Sequence, residues 1–378
     1  MNRNGESEVF LRLLKDLTAL PGVSGFEQPV VRALVEGLTP LADRVWTDRL
    51  GNVYALRRGC GKSEAKAKAK VEAPALPLML VAHSDQVGCI VSEVLSGGLL
   101  RFRTVGRVAA SVLPSTRVLV GPVEGVVTAP TAHVQSEVPE LFIDIGARSA
   151  AEAAEWGVRI GTPVSFRGEL QRLGCGQRVC GTAIDDRVGC AILLTVLKDL
   201  YAGAPEGRPA GDVYAVFSVH EETNMGGARV AGGQVADVAA AITVDTVPAM
   251  DVPAAGGGFR LGAGPVVQLI EGEQSAYVGT IAHPGVVGAI EDAAAAEGVP
   301  LQYSAEVNRW TTDAAVLHTA GTGIPTGLLS IPRRYAHSPA EVLDIGDALA
   351  AVRVLTRLAA DFRSDLEFLS FHPWGEKQ

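Results

Sequence analysis

The chain has 378 residues, of which 47% are hydrophobic and 20% charged, and its formal net charge is −9. A chain of this length can bury a substantial core and usually divides into more than one domain. The acidic balance gives no support to nucleic-acid binding, and no apolar run is long enough to predict a membrane span.

The N-terminus and the cysteines both predict a cytoplasmic protein. Residues 1–15 mix charged and apolar side chains and lack the continuous apolar segment of a secretory signal. The five cysteines are scattered and odd in number, which argues against a disulfide framework. We therefore expect a protein of the reducing cytoplasm.

The first sixty residues predict two helices followed by short strands. Apolar residues recur at helical spacing from Phe10 to Leu17, after Ser7 as a candidate N-cap. A second helix is predicted from about Glu27 to Leu38. Short strands are predicted around Val45 and over Val53–Leu56, with a Gly-Asn turn between them.

Residues 61–77 differ in character from their surroundings. They combine a short alternation of alanine and lysine with a following group of prolines. A tether for nucleic acid would also be basic, but such a segment is far more often a solvated loop. The pattern predicts a flexible surface insertion.

Residues 91–178 are rich in short β-type runs separated by glycine and proline. One helix interrupts them, with Ser149 and Glu152 as a candidate capping box. The predicted strands are Leu99–Val105, Arg117–Val120, Gly125–Val127, Leu141–Ile145 and Val164–Phe166. We interpret this segment as a small β-rich domain. Its strand edges would need a cover, which pairing of subunits can provide.

Alternating helices and strands return after Cys180. The predicted elements are a helix over Val188–Leu200, strands over Val213–Val219 and Ala240–Val244, and a last helix from about Ile345 to Arg363. This alternation predicts an α/β fold with an open mixed sheet covered by helices. Residues 1–90 and 179–378 would then form one domain, into which the β-rich segment is inserted.

Three predicted strands end in residue types that bind metals. The endings are His83-Ser84-Asp85 after Leu78–Ala82, His220-Glu221-Glu222 after Val213–Val219, and Asp245 after Ala240–Val244. In open α/β sheets, functional groups collect beyond the carboxyl ends of the strands. A single polar ending is more often a turn or a helix cap. Three together favour one shared site, because they supply an imidazole and several carboxylates.

Two further segments add candidates to this set. Adjacent carboxylates, Asp185 and Asp186, precede an apolar helix, where aspartate also serves well as an N-cap. The segment Arg333–Pro339 places His337 in a loop. Either feature alone has an ordinary structural explanation.

Taken together, these motifs resemble the co-catalytic two-metal aminopeptidases that include the tetrahedral (TET), glutamyl and deblocking aminopeptidases. The resemblance runs from about Phe10 to the last helix and includes the stretch Ile143–Ser149 in the β-rich segment. It implies an α/β fold of the zinc-exopeptidase type and removal of N-terminal residues from peptide substrates. It also implies a homo-oligomer, from a dimer up to a dodecamer, with subunit contacts through the inserted domain.

The resemblance also implies a role for each site residue. It gives one metal ion to His83 and Asp245, the other to Glu222 and His337, and a bridging role to Asp185. It implies that Glu221 is the general base, that Asp85 orients His83 from the second shell, and that the peptide between Asp185 and Asp186 is cis. Two imidazoles and three carboxylates suit Zn²⁺ best, with Co²⁺ or Mn²⁺ as alternatives.

Three departures from the family pattern bear on specificity. Gln86 replaces a glutamate, His220 replaces a glutamine, and Trp310–Ala314 replaces a Gly-Gly-Thr-Asp-Ala stretch near the substrate pocket. Neither Gln86 nor His220 stands at a ligand position, so we expect tuning of the site and not its loss. The bulkier residues of Trp310–Ala314 bear on the substrate preference. Two other hypotheses remain open at this point: a metal-dependent deacylase of N-acyl amino acids, and a non-catalytic scaffold of the same fold. A glycosidase is disfavoured, because no carboxylate pair has a sugar-cleft context.

Overall fold

A computed structural model describes residues 3–59, 77–129, 141–202, 209–235, 237–253, 258–273, 275, 278–307 and 309–362. The insertion predicted at residues 61–77 lies outside these ranges except for Pro77. The described helices are α1 Arg3–Thr18, α2 Gln28–Leu38, α3 Ala150–Glu155, α4 Ile184–Ala202, α5 Glu221–Asn224, α6 Gly226–Gln234, α7 Pro284–Glu297, α8 Ala314–Leu317 and α9 Ile345–Asp361. Among them, none is both long and apolar enough to cross a membrane.

The strands fall into two groups along the chain. The first group is β1 Arg44–Thr47, β2 Val53–Arg57, β3 Leu78–His83, β4 Gly88–Val94, β5 Leu100–Val105, β6 Arg117–Val120, β7 Val123–Thr128, β8 Phe142–Asp144 and β9 Pro163–Phe166. The second group is β10 Gln171–Arg172, β11 Arg178–Gly181, β12 Val213–Ser218, β13 Ala240–Pro248, β14 Val266–Glu273, β15 Val278–Ile281, β16 Gln302–Ala305, β17 Thr326–Arg334 and β18 Glu341–Asp344.

Twelve described strands form one mixed sheet, in the order β1-β2-β12-β3-β13-β17-β18-β11-β10, with β14 to β16 joined to it through β17. The central pairs β12–β3, β3–β13 and β13–β17 are parallel, whereas β1–β2, β2–β12 and β17–β18 are antiparallel. This confirms the predicted mixed α/β sheet. It also brings the carboxyl ends of β3, β12, β13 and β17 to one edge.

Helices cover both faces of this sheet. Strand β3 is buried along its whole length: Leu78, Leu80 and Ala82 pack into the core beneath α1, α2, α4, α7 and α9. Met79 and Val81 point the other way, into a second core formed with α6 and α8. Burial on both faces explains why the sequence of β3 is a continuous apolar run, since alternate residues of a strand face opposite sides.

The remaining six strands, β4 to β9, close into an antiparallel barrel with a core of its own. The predicted strands of this segment are confirmed, with ends shifted by one or two residues. The strand edges predicted to need a cover are absent from the described barrel, so that prediction was wrong: closure of β4-β5-β8-β7-β6-β9 pairs every strand on both sides. Whether residues 91–178 act as a separate domain stays a prediction.

Several local predictions need correction. Ser7 is no N-cap: α1 begins at Arg3, and the Ser7 hydroxyl donates to Gln177 Oε1 at 3.0 Å. Asp245 lies inside β13 and not after it, because the pairing with β17 continues to Pro248. The capping box is half right, since the Ser149 hydroxyl accepts the Glu152 N–H, whereas the Glu152 carboxylate accepts the N–H of Arg148.

Candidate active site

The predicted site residues meet at the carboxyl edge of the parallel strands. His83 is the last residue of β3, and Glu221 and Glu222 open α5 just after β12. Asp245 lies in the adjacent β13, and Asp185 at the start of α4, where the backbone departs from helical geometry. His337 follows β17 in a loop. The structure therefore brings all of the predicted residues together.

One group of possible ligands centres on the buried imidazole of His83. Its Nε2 lies 3.2 Å from Asp185 Oδ1 and 3.8 Å from Asp245 Oδ1. The three ligand atoms are close enough together to surround one metal ion. Glu221 Oε2 is 4.0 Å from the same nitrogen, which places a third carboxylate at the border of this group.

A second group shares Asp185 with the first. His337 Nε2 lies 3.3 Å from Asp185 Oδ2 and 3.4 Å from Glu222 Oε2. The other ring nitrogen, Nδ1, is 2.9 Å from the carbonyl oxygen of Arg107, in the segment that follows β5 of the barrel. Since a carbonyl can only accept, Nδ1 donates in this contact, and the lone pair of the neutral ring is then on Nε2, where it can bind a metal ion. The two groups thus lie on opposite oxygens of one carboxylate.

Asp85 organises the residues behind the first group. This fully buried carboxylate accepts the N–H groups of Glu221 and Glu222, at 3.0 and 3.1 Å, and the hydroxyl of Ser24. Its Oδ1 lies 3.4 Å from His83 Nδ1. One side chain therefore ties the end of β3 to the start of α5. It faces the ring nitrogen of His83 that points away from Asp185.

The electrostatics of the site show an excess of buried negative charge. Burial raises the pKa of Glu221 and of Asp245 well above their usual values, and raises that of Glu222 to about 7. Burial would also raise the pKa of Asp185, but the Arg333 guanidinium and the two histidines hold it well below its usual range. Buried carboxylates in such numbers are ordinarily neutralised by cations or by protons.

The donor set fits a pair of divalent cations. It supplies imidazole nitrogens and carboxylate oxygens without a thiolate, which is the chemistry of Zn²⁺, Co²⁺ and Mn²⁺ sites. Glu222 Oε1 is buried and has no hydrogen-bond partner among the described residues. A polar atom left unpaired in this way costs free energy unless something else satisfies it. The peptide between Asp185 and Asp186 is cis, as the resemblance implied.

Some residues that shape the site were not predicted. Arg333 is buried at the end of β17 and contacts Asp185 Oδ2 at 2.5 Å and Glu341 Oε1 at 2.6 Å. Arg187 is buried as well, and its guanidinium donates to Ser84 O at 2.9 Å and to Leu17 O at 2.7 Å. Sequence alone gives no signal for either, because a lone arginine is usually exposed and only the fold shows its partners.

The three departures from the family pattern all lie beside the site. Gln86 accepts from Arg187 at 3.2 Å, and the His220 N–H donates to Glu27 Oε1 at 3.2 Å. Asp313, in the altered stretch, accepts the hydroxyl of Ser218, the last residue of β12. These contacts lie around the ligands and not among them.

Comparison with known proteins shows the family to which the chain belongs. The sequence profile of the M42 glutamyl aminopeptidases matches residues 63–354. The lysyl aminopeptidase of Pyrococcus furiosus is 30% identical over 372 residues, which cover 93% of this chain and 97% of that protein.

Two solved structures show the same fold over nearly the whole chain. An aminopeptidase from the archaeon Desulfurococcus kamchatkensis superposes with a TM-score of 0.86 at 30% identity, covering 96% of this chain and 97% of that one. The TET1 peptidase of Pyrococcus horikoshii, which assembles into a tetrahedron or a large octahedral shell, gives a TM-score of 0.76 at 25% identity, covering 93% and 99%. The chain described here therefore belongs to the M42 glutamyl aminopeptidase family and is a peptide hydrolase.

Proposed function

We propose that this enzyme is a two-metal aminopeptidase that hydrolyses the bond after the N-terminal residue of a peptide. The observation that carries the proposal is the pair of ligand groups that share Asp185, with Glu221 beside them. A shared carboxylate flanked by two histidine-containing groups is the arrangement expected for a co-catalytic pair of ions.

In this proposal each ion has its own residues. His83 and Asp245 would hold one ion, Glu222 and His337 the other, and Asp185 both. Zn²⁺ suits these ligands best, with Co²⁺ or Mn²⁺ as alternatives. When bound, such ions lower the pKa of a shared water and polarise the scissile carbonyl.

Glu221 is the proposed general base. Its carboxylate lies at the edge of the ligand groups, and its backbone N–H is fixed by Asp85 at 3.0 Å. In that position it can take the proton of the attacking water and deliver it to the leaving amine, so that one residue serves both proton transfers. Asp85 acts behind it, as a residue that positions Glu221 and His83.

Action on free N-termini agrees with an acidic, metal-bearing pocket. The free amine of a peptide can lie in such a pocket, beside the ions and their carboxylates, whereas an N-acylated substrate has no free amine. This difference separates the aminopeptidase from the deacylase hypothesis. Turnover of aminoacyl-anilides without turnover of N-acyl amino acids supports the proposal, and the reverse result overturns it. No turnover of either, together with no bound metal, would mean a non-catalytic scaffold.

We further propose a homo-oligomer, at least a dimer, with the barrel segment at residues 91–178 mediating subunit contacts. The support comes from the large assemblies of the Pyrococcus horikoshii peptidase and from the likeness of the two chains over almost their whole lengths. Cys89, Cys175, Cys180 and Cys190 are free, which agrees with the cytoplasmic location that we propose.

A further inference from the structure

Glu341 makes three hydrogen bonds at the back of the second ligand group. It is the first residue of β18, and only 2% of its surface is exposed. Oε1 accepts from Arg333 Nη1 at 2.6 Å and from the His337 N–H at 3.0 Å, and Oε2 accepts from the Asp185 N–H at 3.1 Å. A single buried carboxylate therefore joins the start of α4, the end of β17 and the loop after it.

All three donors bear on the same part of the site. Asp185 and His337 are themselves ligand candidates of the second group, and Arg333 contacts the Asp185 oxygen that faces His337. None of the three contacts involves His83 or Asp245. The influence of Glu341 is thus directed to one of the two groups and reaches the other only through the shared Asp185.

His337 has particular need of such support. Its φ of +56° lies in the left-handed region, which side chains other than glycine seldom adopt. Two contacts hold it there: Glu341 fixes the backbone N–H, and the carbonyl of Arg107 fixes the ring. With both in place, Nε2 faces Asp185 and Glu222.

We propose that Glu341 is a positioning residue, not a ligand, which holds Asp185 and His337 in the geometry that binds the second metal ion. The inference rests on the proposed two-metal function. Without the Glu341 carboxylate, the ion held by Glu222 and His337 binds more weakly, while the ion held by His83 and Asp245 is affected less. Outer residues that orient metal ligands typically contribute about 10–100-fold in affinity.

The substitution Glu341→Gln removes this support with little change in volume. A glutamine has one acceptor oxygen, and its amide NH₂ must face at least one of the three N–H donors. A second variant, Glu341→Asp, keeps the charge but shortens the side chain by one methylene, so that it cannot reach all three donors. We therefore expect Glu341→Asp to weaken the binding of the second ion as Glu341→Gln does, although it keeps the negative charge.

Asp347 provides a matched control. It is also 2% exposed, and its carboxylate accepts two backbone N–H groups, from Gly262 at 2.7 Å and Gly264 at 2.8 Å. It belongs to α9 and contacts none of the ligand candidates. Asp347→Asn therefore disturbs a comparable buried carboxylate at a place where no metal is expected.

The test is a Zn²⁺ titration of metal-free full-length protein by calorimetry, with thermal unfolding of each variant measured in parallel. We expect two tight ions for the unaltered enzyme and for Asp347→Asn, and one tight and one weakened ion, by about 10–100-fold, for Glu341→Gln. Two ions of unchanged affinity in Glu341→Gln would overturn the inference. The inference would also be overturned if Glu341→Gln weakened the binding of both ions equally and Asp347→Asn did the same, since the effect would then be general destabilisation. If the unaltered protein binds no ion, the proposed function itself fails, and the two failures are distinguishable.

Discussion

Replacement of Asp85 by asparagine is a demanding test of how the site is held together. Each oxygen of Asp85 already accepts a backbone N–H, Oδ1 from Glu221 and Oδ2 from Glu222. Whichever way the asparagine is oriented, its NH₂ must face one of these N–H groups. One buried donor is then left unsatisfied, at a cost of about 1–3 kcal/mol.

The loss should appear in three measurements. Stability should fall by about 1–3 kcal/mol in urea unfolding. Affinity for the ion at His83 should fall by about 10–100-fold, because the carboxylate that faces His83 Nδ1 is gone. Turnover of an aminoacyl-anilide at saturating zinc should fall further, since a displacement of Glu221 by about 1 Å can cost on the order of 10²-fold.

Ser24→Ala is the matched control, because it removes one of the donors to Asp85 without introducing a second donor in its place. We expect Ser24→Ala to lose less stability, less zinc affinity and less turnover than Asp85→Asn. Unchanged turnover and unchanged zinc affinity in Asp85→Asn would refute the idea that Asp85 positions Glu221 and His83.

The remaining predictions concern the base, a buried acid and the assembly. Glu221→Gln should keep both ions yet lose about 10²–10⁴-fold in turnover, and near-normal turnover would remove Glu221 from the mechanism. Burial raises the pKa of Asp347 from 3.8 to about 6. The folded state therefore holds the Asp347 proton more tightly than the unfolded state. Protonated Asp347 contributes fully to the free energy of unfolding below about pH 4. This contribution is lost as pH rises through 6, by up to about 3 kcal/mol. Urea unfolding of the unaltered protein and of Asp347→Asn from pH 4 to 7 measures this contribution. A difference between their free energies of unfolding that does not vary with pH contradicts the prediction. Light scattering should give at least a dimeric mass, and deletion of residues 61–77 should leave the dimer intact; a monomeric mass with full activity argues against the oligomer.

The sequence predicted the part of the site that depends on strand ends. Apolar runs that stop at His83 and before Glu221 mark the carboxyl ends of β3 and β12, and parallel pairing brings these ends together. The resemblance to a family added the order of the motifs, and with it the roles of Asp185 and His337, which the residues alone offered only as candidates. Asp245 was found for a partly wrong reason, because a polar residue within β13 was interpreted as the end of the strand.

What the sequence could not predict depends on contacts between distant residues. The Ser7 hydroxyl donates to Gln177, 170 residues away, so it looked like a cap when only its neighbours were considered. The barrel closes through β4–β9 and β6–β9 pairs that local patterns do not contain. Arg333 and Glu341 are an ordinary basic and an ordinary acidic residue in sequence, and only the pairing of β17 with β18 buries them together.

The two-metal site is tested most directly by anomalous diffraction from crystals of the zinc-loaded enzyme, recorded on both sides of the zinc edge. We predict two anomalous peaks per chain with Asp185 between them, one next to His83 and Asp245 and the other next to Glu222 and His337. A single peak, or two peaks that do not share Asp185, would contradict the proposed site.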